Sequence, residues 1–192
     1  MQQMGIEAIY PKKNLSLPDK QHRVYPYLLK GLTIDRPDQV WGVDITYIRM
    51  HSGWAYLVAL MDWYARYVLS WRLSDSLGTE FCLEALGKAL KLNLPGIHNS
   101  DQGSQLTSLE YLGKLQANPS IRISMDGRGR TFDNIFIERL WRSVKYEEVY
   151  LKEYTDFNDA KSQLSDYFRF YNNRRLHSAL NYQTPAEVYQ RR

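Results

Sequence analysis

The apolar positions of this chain change period along its length, and the changes divide it into elements. Residues 40–50, 54–64 and 67–73 are dense in β-branched and aromatic side chains, and His51-Ser52-Gly53 supplies a turn between the first two. Three consecutive strands in an antiparallel meander are predicted. Over 79–92 the spacing lengthens, with Phe81, Leu83, Leu86 and Leu90 recurring on one helical side until Pro95-Gly96 stops the run. A short strand leading to His98-Asn99-Ser100-Asp101 follows, then a helix over 108–117 and a fifth strand over 121–125. A basic loop with two glycines, 127–130, precedes a helix that Asp133 is placed to cap and that runs to about Tyr150. A last helix from Asp156 to about Asn173 leads into a tail carrying Thr184-Pro185-Ala186. Three strands followed by alternating helices and strands predict an α/β protein, a mixed five-stranded sheet with helices on both faces.

Residues 1–38 differ from the rest. Prolines at 11, 18, 26 and 37 and the lack of sustained periodicity predict an extended arm with at most one short helix and no core of its own. The expected division is therefore 1–38 as arm, 39–150 as core and 151–192 as a C-terminal helix and tail packed on it.

Composition narrows the class without deciding it. The 192 residues, 44% hydrophobic and 24% charged, suit one folded core and exclude wholesale disorder. Apolar runs such as 54–61 are far shorter than the roughly 18 residues that span a bilayer, and no signal core opens the chain. The single cysteine, Cys82, excludes an intramolecular disulfide and paired-thiolate zinc sites. A net charge of +4 permits a polyanionic partner without demanding one, so its distribution matters more. Between Arg122 and Lys145 six basic residues stand against three acids, and from Arg169 to Arg192 five stand against one. Taken alone, such runs fit a solvated face as well as a binding surface.

Three acids stand out. Asp44 interrupts the apolar strand Trp41-Gly42-Val43-Asp44-Ile45-Thr46-Tyr47-Ile48, where an ionised side chain needs a cation, a metal or hydrogen-bond donors. Asp101 falls where the fourth strand ends, before Gln102-Gly103-Ser104-Gln105, a position that suits either a carboxylate projected past the sheet edge or an Asx turn. Glu138 shares a helix face with Arg142 and Lys145, while Phe136, Leu140 and Val144 lie opposite. Three carboxylates on separate elements offer hard oxygen ligands for magnesium or manganese, and two such ions suit phosphodiester transfer.

In their order these segments resemble the integrase-like transposases of bacterial insertion sequences with two overlapping reading frames, within the retroviral-integrase superfamily. The resemblance is carried by 40–48, by Ser100-Asp101-Gln102-Gly103-Ser104-Gln105, by Phe132-Asp133-Asn134 leading to Glu138-Arg139, and by Tyr171-Asn172-Asn173-Arg174-Arg175-Leu176-His177 leading to Thr184-Pro185-Ala186. It implies a ribonuclease H-like fold and a catalytic, metal-holding triad at Asp44, Asp101 and Glu138. The interval from Asp101 to Glu138 is one residue longer than the family's usual spacing. The cofactor implied is Mg2+ or Mn2+, as two ions. DNA, both element ends and target, is the implied partner, with Lys145 facing a DNA end. Arg128, Arg130, Arg139 and Arg142 join Lys145 as the basic residues expected to bind it. A homo-oligomer, contact with the upstream reading-frame product, and a cytoplasmic, nucleoid-associated location are also implied, with no membrane.

Relatives of this kind carry helical DNA-recognition domains ahead of the core. Met1 would fall within the last of them, so 1–38 is expected to be a remnant and the chain a truncated one whose activity is open. Three readings follow: a metal-dependent strand transferase, a fragment that binds DNA or a longer relative without chemistry, and a stand-alone nuclease of the same fold.

Overall fold

The computed structural model describes residues 24–51, 53–127 and 134–191. Strands β1 (Val40–Met50), β2 (Gly53–Asp62) and β3 (Val68–Ser74) form the antiparallel meander. Strands β4 (Ile97–Ser100) and β5 (Arg122–Met125) add in parallel, giving the order β3-β2-β1-β4-β5. The sheet is mixed and five-stranded, with β1 at its centre.

Because side chains alternate across a strand, each face of the sheet collects its own core. On one side Trp41, Val43, Val58 and Leu60 meet helices α1 (Glu80–Leu90) and α2 (Leu109–Gln116) through Phe81, Leu86, Tyr111 and Leu115. On the other side Ile48, Leu57, Ala59 and Met61 meet α3 (Ile135–Glu147) and α4 (Phe157–Asn173) through Ile137, Leu140, Trp141 and Phe168. Burial on both faces explains why β2 reads as an almost unbroken apolar run. Asp44 pairs with Ala59 and so points to the face that α3 covers.

Four boundaries differ from the periodicity. The second strand stops at Asp62, because its carboxylate accepts the backbone N–H groups of Ala65 and Asp38, both at 2.7 Å, and starts the turn. Helix α3 ends at Glu147 and a one-turn 3-10 helix, Val149–Leu151, follows. The break buries Glu148, whose carboxylate accepts from Lys152 Nζ at 2.8 Å and Tyr154 OH at 3.3 Å. Asp133 lies outside the described residues, and the N-cap position of α3 is Asn134, whose side chain is not capping but reaches the Val43 carbonyl at 3.4 Å. The tail contains a further helix, α5 (Pro185–Gln190), opened by a capping box between Thr184 and Glu187.

Both ends of the described chain touch the core. Leu29 is buried, and the Leu28 N–H donates to Ser124 Oγ at 3.0 Å on the outermost strand β5. At the other end Asn172 forms a two-way amide clasp with Val68, donating to its carbonyl and accepting from its N–H, each at 2.9 Å. Tyr189 stacks on Tyr67 with centroids 4.6 Å apart and donates to Asp38 at 2.7 Å.

Candidate active site

The parallel pairing of β1 with β4 covers only Val40 to Gly42, opposite Ile97 to Asn99. Asp44 and Asp101 each lie two residues beyond the last pair, Gly42 with Asn99, so both stand where β1 and β4 part, Asp44 still within β1 and paired with Ala59 of β2. This is the strand-end crevice where α/β sheets hold ligands. Asp101 is exposed, and its Oδ1 accepts the Gly103 N–H at 2.9 Å, so it is also the Asx-turn residue that its position allowed. Asp126, just past the end of β5, accepts from Asn99 Nδ2 at 2.8 Å and adds a largely buried acid behind the first two.

Helix α3 supplies the remaining wall. Its apolar stripe of Ile137, Leu140, Trp141 and Val144 docks on the sheet, which leaves Glu138 exposed in the first turn. The same docking carries Trp141 to Asp44, and the indole Nε1 donates to Asp44 Oδ2 at 2.8 Å. Burial pushes the Asp44 carboxyl up to about 6; the Trp141 hydrogen bond opposes this, and the negative charges of Asp101 and Glu138 add to it. Asp101 and Glu138 are thus both within electrostatic reach of Asp44. Among the described residues, no three acid, histidine or cysteine side chains are drawn tightly enough around one point to enclose an ion as they stand. The donor chemistry nonetheless fits a hard divalent cation: the acids repel one another and carry only oxygen ligands.

The start of α3 is fixed by close approach. A Cβ on Gly42 would overlap the Trp63 indole nitrogen and press within 3.2 Å of the Asn134 amide oxygen. Both of those atoms are buried without a hydrogen-bond partner among the described residues.

The cations divide. Arg139 and Arg142 are exposed on α3 and Lys145 is half-buried in its last turn; none of the three forms an ion pair among the described residues. Arg128 and Arg130 lie outside the described residues. Two participants escaped the sequence pattern. Trp141 carried a usable signal, being three residues after Glu138 on a helix and so near the same side. Arg66, in the turn between β2 and β3, carried none; its guanidinium lies 3.4 Å above the Phe136 ring.

Comparison with known proteins places this geometry. Residues 34–130 match the family described as "Integrase core domain", and residues 119–185 match a second family of the same description. The chain is 34% identical over 156 residues to the transposase for insertion sequence element IS629 of Shigella sonnei, covering 80% of this chain and 52% of that protein. It is 31% identical over 146 residues to transposase InsF for insertion sequence IS3A of Escherichia coli (strain K12), covering 74% and 50%. The chain thus spans about half the length of the curated relatives it matches. Among solved structures, it superposes on a chain of the simian T-cell lymphotropic virus intasome in complex with PP2A regulatory subunit B56 gamma with a TM-score of 0.70, at 17% identity, covering 91% of this chain and 61% of the other. Against the HTLV-2 integrase catalytic core domain in complex with magnesium, in its trimeric form, the TM-score is 0.65 at 16% identity, covering 80% and 97%. At these identities the structural likeness carries the fold.

Proposed function

The chain belongs to the integrase core domain family and has its ribonuclease H-like fold, and on that premise we propose that it is the catalytic domain of a DNA transposase. In this reading Asp44, Asp101 and Glu138 are the catalytic acids, and they hold magnesium or manganese as two ions. The observation that carries the assignment is that Asp44 and Asp101 each lie two residues beyond the last β1–β4 pair, while Trp141 ties α3, which bears Glu138, to Asp44 through a 2.8 Å hydrogen bond.

When bound, divalent ions activate the attacking oxygen and neutralise the leaving one. The chain's own residues bind and orient. Asp44, fixed by Trp141, and Asp101, fixed by its turn, face the reacting phosphate from the point where β1 and β4 part. Glu138 faces it from α3. Water first attacks the phosphodiester at the element's end; its hydroxyl stays on phosphorus and the freed 3′ oxygen takes the proton. That 3′-hydroxyl then attacks a target phosphodiester, forming a new phosphorus–oxygen bond and releasing the target's own 3′ oxygen with the proton. Arg139, Arg142 and Lys145, joined by Arg128 and Arg130, bind the DNA backbone. The working form is a homo-oligomer on bacterial DNA, which places it in the cytoplasm on the nucleoid; the upstream reading-frame product is a further partner.

A strand-transfer assay on a pre-cut element end, with magnesium and with chelator, tests the reading. The parent joins ends to target DNA only with the metal, and Asp44→Asn, Asp101→Asn and Glu138→Gln each lose joining while still binding DNA. In a second reading the chain binds DNA or a longer relative without chemistry. DNA binding without metal-dependent joining by the parent would select it, and cleavage without joining would select a nuclease.

A further inference from the structure

Between α3 and the segment that follows α4 lies a cleft of about 470 Å³. Four guanidinium groups line it, from Arg66, Arg139, Arg142 and Arg175, together with His177 and Tyr182, and no carboxylate lines it. Among the described residues only Arg175 of the four forms an ion pair, gripping Glu147 in a two-pronged contact at 2.8 and 2.5 Å. Arg66 feels the Asp62 charge at longer range, and Arg139 and Arg142 form no ion pair among the described residues.

The cations are held in place. Arg66 stacks on Phe136, donates to the Trp63 carbonyl, and sits on a left-handed backbone at φ 58°. Across the cleft, Asn181 and Tyr182 are consecutive left-handed residues at φ 53° and 58°, a conformation that costs energy without glycine. The result presents the Tyr182 ring at 72% exposure, although the ring is large and apolar. Burial and the neighbouring Arg139 charge push the Arg66 guanidinium down to about 10, and burial with Arg175 holds His177 near 4. Four crowded cations, two of them half-buried, together with left-handed backbone and an exposed aromatic ring have no purpose in packing alone. An anion entering the cleft offsets their mutual repulsion.

We propose that this cleft is a binding site for the phosphodiester backbone of a DNA strand, with the 171–182 segment as its second wall and Tyr182 available to stack on a base or sugar. The inference rests on the proposed function, which it extends from the acids to the C-terminal segment. Arg139 directly follows Glu138 on α3, so the helix that bears the acid also forms a wall of the cleft. Arginine suits the task because its planar fork matches phosphate oxygens, and base stacking on an aromatic ring tolerates any sequence.

The test uses the whole chain and a fluorescent duplex, in calcium to hold chemistry silent. Ser178→Glu puts a carboxylate on an exposed position of the cleft, and Ser162→Glu makes the same charge change on an exposed position of α4 that lines a different depression. Circular dichroism confirms the fold of each. The expected result is a loss of roughly tenfold or more in affinity for Ser178→Glu and no change for Ser162→Glu. Tyr182→Ala is expected to cost about fivefold. In parallel, phenylglyoxal labelling read by peptide mass spectrometry should find Arg139 and Arg142 protected by the duplex and the exposed Arg36 and Arg169 unprotected. If the parent binds duplex while both serine variants bind like it, the cleft assignment is overturned and the transposase reading stands. Absence of duplex binding by the parent overturns both. Protection by inorganic phosphate as complete as by duplex at equal phosphate concentration makes the cleft a free-anion site and overturns the strand assignment.

Discussion

Trp141 and Asp44, 97 positions apart in the chain, are joined by a 2.8 Å hydrogen bond from the indole Nε1 to the carboxylate Oδ2. The bond ties the helix that bears Glu138 to the central strand. Trp141→Phe keeps the apolar packing and removes the donor. A hydrogen bond to a charged group contributes about 1.5–3 kcal/mol. Strand transfer should fall by roughly tenfold or more, with duplex affinity unchanged and the thermal midpoint close to the parent's. Trp141→Gln, which restores a donor, should recover part of the rate. A Trp141→Phe variant as active as the parent would remove the positioning role.

Gly42 sets how closely the start of α3 approaches the sheet. An added Cβ must displace the Trp63 indole or the Asn134 amide, and overpacking of this kind costs about 1–3 kcal/mol. Gly42→Ala should lower stability in denaturant titration by that order and reduce strand transfer further than the stability loss explains, because Glu138 lies one turn along the same helix. Unchanged stability would show that α3 can shift without cost.

Lys145 and Glu138 lie seven residues apart on α3, nearly two turns, and should separate binding from chemistry. Lys145→Ala is expected to weaken duplex binding and reduce the slope of log affinity against log salt by about 1, with metal affinity in calorimetry intact. Glu138→Gln should weaken metal binding and abolish joining while duplex affinity holds. Lys145→Ala binding DNA like the parent would make it an ordinary helix side chain.

His177 gives the cleft an acid limit. Burial, then the Arg175 charge, hold it at about 4 against an ordinary 6.5, with Glu147 opposing and Arg66 reinforcing the shift. The unfolded chain therefore takes up the proton first as pH falls. The His177 contribution to stability is full above about 6.5 and is lost as pH falls towards about 4. Half-exposure screens the effect to about 1 kcal/mol. Denaturation of the parent and of His177→Gln at about pH 7.5 and about pH 4.5 should show the difference between them shrinking or reversing on the acid side. A difference independent of pH would contradict the assignment.

Much of this molecule is written in local pattern. The alternation over 40–50 and the helical spacing over 79–92 mark β1 and α1 within a residue or two, because strand and helix periods are properties of neighbouring positions. Asp44 was visible as a charge inside an apolar strand, and Asp101 as an acid at a strand end. Other features depend on which distant segments meet. That β1 is the central strand, with Asp44 just beyond its parallel pairing to β4, follows from the sheet order and not from the strand's own residues. The shorter α3 reflects Glu148 finding Lys152 and Tyr154, and the partner that Asp44 requires proved to be an indole on the covering helix. Nothing in local pattern links Arg66 to Arg175, which folding brings to one cleft. Periodicity specifies which way a side chain faces relative to its own backbone. What stands opposite it is decided by tertiary packing, since hydrogen bonds and charges act through distances that sequence separation does not fix.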